Sequence, residues 1–94
     1  MPLTTTQRNQ IASYKVQIES YRKDLQRLKD EKKRKSEYYG NMIKGTKDPN
    51  SKRSYRQSKI QAMNTLVNSI EGKKRDIERI KGYIQNIKGY PLYG

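Results

Sequence analysis

The chain has 94 residues and a formal net charge of +13, because 22 lysines and arginines outnumber 9 aspartates and glutamates. Only 31% of the residues are hydrophobic and the mean hydropathy is -1.25, which excludes a large globular core and favours long, solvated helices. Cysteine and histidine are both absent, so disulfides, thiolate metal sites and the commonest general base are excluded as well.

The first predicted helix covers residues 5–44. Thr4 precedes Gln7 by three residues, which is the spacing of a capping box. From Ile11 onwards, apolar residues recur in alternating steps of three and four, the pattern of a heptad with Ile11 at position a and Tyr14 at position d. The pattern predicts one long amphipathic helix whose narrow apolar stripe faces a partner helix.

A break in the pattern separates the first helix from a second. Gly45 is a candidate for a left-handed cap that ends the first helix, and residues 45–48 are predicted to form a turn. Asp48 and Pro49 are the residue types expected of an N-cap and a first helical position. The second helix is predicted over 49–88, where the three-four spacing of apolar residues returns.

These elements predict an all-α fold in which two long helices form an antiparallel, coiled-coil-like hairpin. Residues 1–94 are interpreted as one domain with an irregular tail over 89–94. The predicted helix seam consists of Ile11, Tyr14, Ile18, Tyr21, Leu25, Leu28, Met63, Leu66, Ile70, Ile77, Ile80, Ile84 and Ile87. Because Lys32, Lys35 and Lys73 also occupy seam positions and weaken the seam, we expect the hairpin to belong to an oligomer or a heteromeric bundle.

The sequence leaves the register of the helices open. Lys32 faces Leu66 in one register and comes near Lys59 if the loop is tighter. A parallel homodimer is a third arrangement, in which Asp24 would meet Lys29 of the partner subunit and partly neutralise it. The three arrangements therefore differ in how much positive charge they leave available.

In an antiparallel pair, the e positions of both helices flank each other along one edge, and the g positions flank each other along the opposite edge. The g edge is predicted to carry three acids, three tyrosines and no lysine or arginine: Asp24, Glu31, Asp76, Tyr38, Tyr55 and Tyr83. The e edge is predicted to carry only cations in its regular part: Lys15, Arg22, Lys29, Lys74, Lys81 and Lys88. Cations about 10 Å apart along a helix can follow a phosphate backbone without contacting the bases, which predicts a nucleic-acid-binding edge.

A basic run and the cations around the loop extend the predicted nucleic-acid-binding surface. These residues are Lys32, Lys33, Arg34, Lys35, Arg53, Arg56 and Lys59. The alternative is a solvated helix face, which i,i+4 pairs such as Glu31–Lys35 and Glu71–Arg75 favour. Near the loop, apolar e positions at Ile43, Ile60 and Val67 predict a second apolar contact.

No arrangement of side chains in the sequence indicates catalysis. The carboxylates are scattered, and no phosphate-binding loop follows a strand, so the protein is predicted to be non-enzymatic, without a cofactor, a metal or a small-molecule substrate. No apolar run approaches the length of a membrane span, and the N-terminus lacks the apolar core of a cleavable signal peptide. The expected partners are nucleic acid and either a second copy or another protein.

The two-helix layout and the tripeptide Tyr38–Gly40 resemble the small helical-hairpin partners of type VII secretion. Those proteins typically carry Trp-x-Gly between their helices, whereas here Tyr38 takes the place of the tryptophan and no Tyr-x-x-x-Asp signal follows Tyr83. The resemblance implies a rival function. In that hypothesis the hairpin is a structural or adaptor protein, such as a secretion partner or virion component, whose positive charge meets an acidic protein surface.

Overall fold

The structure, a computed structural model, describes residues 3–89. It contains two helices, α1 over Thr5–Gly45 and α2 over Pro49–Lys88, which pack against each other along their length. The molecule is a rod of 69 × 24 × 14 Å. The all-α, coiled-coil-like hairpin predicted from the heptad pattern is confirmed.

Both helices begin at caps that the sequence predicts. The Gln7 N–H donates to Thr4 Oγ1 at 3.1 Å and the Thr4 N–H donates to Gln7 Oε1 at 2.9 Å, which completes the capping box. At the start of α2, Asp48 accepts hydrogen bonds from the Asn50 N–H at 3.2 Å and from the Ser51 hydroxyl at 2.9 Å. The bonds donated by backbone N–H groups satisfy donors that have no partner inside the helix.

The end of α1 differs from the prediction. Gly45 is the last helical residue and is not left-handed, and Thr46 after it has an extended backbone with φ -108° and ψ 143°. The Thr46 hydroxyl accepts a hydrogen bond from the Asp48 N–H at 3.3 Å, which links the end of α1 to the N-cap of α2. The left-handed cap occurs at Gly89, with φ 72°, where α2 ends. The rest of the predicted tail, 90–94, lies outside the described residues.

The helices run in opposite directions, as three contacts between them show. The rings of Tyr14 and Tyr83 lie 5.6 Å apart, and farther along α1 the Tyr21 ring lies 4.7 Å from Lys73 Nζ. Lys73 Nζ also lies 3.5 Å from a carboxylate oxygen of Asp24. Each step along α1 therefore corresponds to a step back along α2. This alignment brings Lys32 near the level of Leu66, as in the looser of the two antiparallel registers.

The apolar core is concentrated away from the turn. Ile11 and Ile18 of α1 form a buried cluster with three isoleucines of α2, namely Ile77, Ile80 and Ile84. Leu66 and Ile70 are also buried. The remaining predicted seam residues are partly buried: Tyr14, Tyr21, Leu25, Leu28, Met63 and Ile87. The single seam is therefore occupied within one chain. Its best-packed part lies toward the open end of the hairpin, which is the end opposite the turn.

The turn end of the hairpin, which we define as residues 29–59, carries much of the charge. It has 11 basic and 4 acidic residues, a net charge of +7 out of +13 for the whole chain. Several of these cations occupy seam positions: Lys32, Lys35, Lys52, Arg56 and Lys59. The seam at this end thus combines like charge with little apolar burial.

We expect the helices to open locally at the turn end. Backbone amides of residues 32–42 and 52–62 should exchange hydrogen at least about tenfold faster than those of 11–21 and 74–84, a difference of about 1.4 kcal/mol in opening free energy. The physical reason is that seam positions near the turn hold lysine and arginine, whereas those near the open end hold buried isoleucine. Native-state hydrogen exchange followed by NMR checks this prediction, and uniform protection along both helices would contradict it.

Candidate nucleic-acid interface

The e positions of the two helices lie on one side of the hairpin. Lys29 of α1 and Lys74 of α2 line the same groove between the helices. The antiparallel alignment places Lys15 at the level of Lys81 and Arg22 at the level of Lys74. The cations of the two helices therefore share one edge, which we call the cationic edge.

Arg8 is a further member of the cationic edge that the sequence analysis missed. Counting the heptad back from Ile11 places Arg8 at position e, one heptad before Lys15, and its side chain is exposed. The alignment of the helices brings Arg8 to the level of Lys88. The same heptad spacing that predicts the other cations of this edge therefore also predicts Arg8.

Two of the α2 cations on this edge have partners on their own helix. Lys74 Nζ lies 3.5 Å from Glu71 Oε1, and Lys81 Nζ lies 3.3 Å from Glu78 Oε1. These i,i+3 pairs are largely exposed to solvent, so each contributes only about 0–1 kcal/mol to stability and is easily exchanged for another anion. They reduce the repulsion between cations that face each other across the edge.

The α1 cations of the edge are not neutralised in this way. Arg8, Lys15, Arg22 and Lys29 are exposed, and none of them forms an ion pair within residues 3–89. They recur every seven residues, about 10 Å apart along the helix. The edge therefore presents a regular line of positive charge that a linear anion could contact.

The acids of the g edge pair with nearby cations. Asp24 lies 3.3 Å from Arg27 and 3.5 Å from Lys73, and Glu31 lies 3.3 Å from Lys35. Asp76 pairs likewise with Arg79 at 3.3 Å. Although this edge has no basic residue at its g positions, long side chains from neighbouring positions reach it. Three acids meet four cations here, so the charge of this edge is nearly balanced, whereas that of the cationic edge is not.

Three of the seam lysines leave the seam on different sides. Lys35 and Lys73 occupy position d, which borders g, and they contact Glu31 and Asp24. Lys32 occupies position a, which borders e, and it lines the groove on the other side. The heptad position thus decides whether a seam lysine adds to the cationic edge or to the balanced one.

The remaining predicted site residues are divided among separate surfaces. Lys33 joins Lys29, Lys32 and Lys74 around the groove, whereas Arg34 is exposed at position c, on the outer face of α1. Arg53 and Arg56 line a hollow of about 360 Å³ on α2, together with Lys47 and Lys52 and without any carboxylate. Lys59 lines another hollow with Ser36, Glu37 and Lys44. The sequence analysis did not select Lys44, Lys47 or Lys52.

The groove on the cationic edge is the largest hollow described here, with a volume of about 670 Å³. Its α1 side is formed by Lys29, Lys32, Lys33, Ser36 and Glu37, and its α2 side by Met63, Val67, Ile70, Glu71 and Lys74. Within residues 3–89, no group of three acidic side chains is placed to hold a metal ion. The groove therefore offers an apolar floor and a basic rim.

Comparisons with protein-family models, curated proteins and solved structures return no significant match. Among the described residues, neither helix is long and apolar enough to cross a membrane. The tripeptide Tyr38–Gly40 lies inside α1, five residues before the helix ends, and not between the helices. The fold and the charge distribution together define a small basic helical hairpin.

Proposed function

We propose that the hairpin binds nucleic acid through the cationic edge, by contacts to phosphates that do not depend on base sequence. The observation that supports this function is the line of exposed α1 cations that form no ion pair within residues 3–89, namely Arg8, Lys15, Arg22 and Lys29. Charges held on one face of a long helix repel each other, and a polyanion relieves that repulsion.

The length of the edge suits an extended anion. Arg8 and Lys29 are separated by three heptads, about 32 Å along α1 at 1.5 Å per residue. Over that length, duplex DNA presents roughly 19 phosphate charges, one for each 1.7 Å of its axis. The edge can therefore meet phosphates at several points, while Lys32 and Lys33 add contacts toward the turn end.

The opposite edge favours one orientation of the complex. Its three acids are paired with Arg27, Lys35, Lys73 and Arg79, so it attracts a polyanion less than the cationic edge does. Contacts to a phosphate backbone provide affinity and orientation but carry no information about base sequence. The proposed function is therefore nucleic-acid binding that does not depend on base sequence.

The salt dependence of binding tests this function. With about six phosphate contacts, affinity for a duplex of about 20 base pairs should fall about 1,000-fold between about 50 and 200 mM salt, because bound counterions are released. Fluorescence anisotropy of a labelled duplex measures this fall, and a second duplex of unrelated sequence should give the same curve. Affinity that changes less than about threefold over this range would overturn the proposal.

The rival function is an adaptor that binds an acidic protein. The observation that favours it is the apolar floor of the groove, since phosphate contacts do not require an exposed Val67 or a partly buried Met63. Assembly with another chain is part of both hypotheses, because a two-helix hairpin has only one seam to stabilise it. Salt-tolerant copurification with one protein, without nucleic acid, would favour the adaptor.

A further inference from the structure

The chemistry of the e positions changes halfway along the hairpin. From the open end of the hairpin as far as Lys29, every e position of α1 after Arg8 is lysine or arginine. On α2, the e positions from Lys88 to Lys74 are all lysine. Toward the turn, the next e positions are Ser36 and Ile43 on α1, and Val67 and Ile60 on α2. The same edge thus contains two surfaces, a cationic one and an apolar one.

The groove described above lies where these two surfaces meet. Met63, Val67 and Ile70 form its apolar floor. Val67 is 37% exposed and Ile60, one turn of helix beyond Met63 toward the start of α2, is 59% exposed. Apolar side chains left uncovered on a small protein indicate a surface that another molecule covers.

The rim of the groove determines which partner fits. Lys29, Lys32 and Lys33 of α1 border it without an ion pair in the described chain, and Lys74 borders it from α2. Two glutamates also line the groove, so the four lysines leave it with a net charge of +2, and a second copy meeting it face to face would bring two positive surfaces together. Charge complementarity therefore selects an acidic partner over a second copy of this chain.

We propose that the groove binds an acidic amphipathic helix of another protein, which completes a three-helix bundle. Two antiparallel helices leave a furrow along each edge, and a third helix inserts side chains spaced i, i+3, i+4 and i+7 into such a furrow. Its apolar face covers Val67 and Met63, and its flanking carboxylates meet the lysines of the rim. This inference does not rest on nucleic-acid binding. The two sites share the lysines of the groove rim, whereas Arg8, Lys15 and Arg22 lie farther along the edge and belong to the proposed nucleic-acid site alone.

A designed peptide tests the inference. The probe is a fluorescent helical peptide of about 18 residues, with leucines spaced i, i+3, i+4 and i+7 and glutamates beside them. It is compared with a scrambled peptide of the same composition. The amphipathic peptide should bind at least about tenfold more tightly than the scrambled one. Val67→Ser should weaken its binding about tenfold, whereas Val16→Ser, which changes a 70%-exposed valine at position f of α1, should leave it unchanged.

Charge variants complete the test. Lys33→Gln should weaken peptide binding more than Lys23→Gln, since both remove one positive charge but only Lys33 lines the groove. Equal binding of the scrambled peptide, or no effect of Val67→Ser, would overturn the inference. So would a dimer in light scattering that Val67→Ser dissociates, because the occupant would then be a second copy. Loss of oligothymidylate binding in Val67→Ser, without peptide binding by the unaltered protein, would instead identify a site for bases.

Discussion

Replacing Ile80 with alanine is expected to unfold most of the protein. Ile80 is only 4% exposed and packs in the cluster that contains Ile11, Ile18, Ile77 and Ile84. An isoleucine-to-alanine change in a core typically costs about 2–5 kcal/mol, because it removes apolar contacts and leaves a cavity. A small scaffold with one core rarely has more than about 3–5 kcal/mol of stability, so the loss is comparable to the whole.

Far-UV circular dichroism with urea titration measures this effect. The Ile80→Ala variant should lose most of its ellipticity in buffer, or its unfolding midpoint should move close to zero urea. Val16→Ala is the matched control, because Val16 is 70% exposed, and it should change the free energy of unfolding by no more than about 0.5 kcal/mol. Equal stability of the two variants would show that the isoleucine cluster is not the source of stability.

The heptad spacing was sufficient to predict the hairpin. Apolar residues at a and d leave one narrow stripe on each helix, and a short connection allows those stripes to meet only if the helices are antiparallel. Thr4 and Asp48 specified the two helix starts because their side chains accept hydrogen bonds from the first free backbone N–H groups. Local chemistry and periodicity agreed, and both were visible in one sequence.

Other features depend on contacts that the heptad does not specify. The predicted left-handed cap at Gly45 was wrong. Glycine is common at such caps, but Gly45 is helical and is followed by the extended Thr46, whose hydroxyl accepts a hydrogen bond from the Asp48 N–H. The i,i+4 rule also predicted a Glu71–Arg75 pair, but Glu71 contacts Lys74 at i+3. Flexible side chains choose among several neighbours at similar cost, so such pairs cannot be assigned from spacing alone.

The distribution of charge in space also emerges only from the fold. By sequence, the two halves of the chain are about equally basic. Folding back brings the run Lys32–Lys35 beside the part of α2 around Met63 and Leu66, so the positive charge is densest toward the turn and the apolar core lies toward the other end. The apolar e positions Ile43, Ile60 and Val67 lie in the half of the hairpin nearer the turn, where the positive charge is densest. The hairpin therefore separates its stable region from the region that carries its candidate binding groove.

Neutralising three cations on α1 is expected to weaken nucleic-acid binding strongly. The triple variant Lys15→Gln, Arg22→Gln and Lys29→Gln removes three proposed phosphate contacts. Each contact contributes about 0.9 to the slope of log affinity against log salt for duplex DNA, so the slope should become shallower by about 2.7. At about 0.1 M salt, the affinity should fall on the order of 100-fold.

A second triple variant separates the position of the charges from their number. Lys23→Gln, Arg34→Gln and Arg75→Gln lower the net charge by the same amount, but these exposed residues occupy f and c positions on the outer faces of the helices. This control should keep the slope within about 1 of that of the unaltered protein and lose less than about tenfold in affinity. Circular dichroism must show both variants equally helical. Equal losses in the two would mean that the total charge attracts the nucleic acid, and the cationic edge would then have no special part in binding.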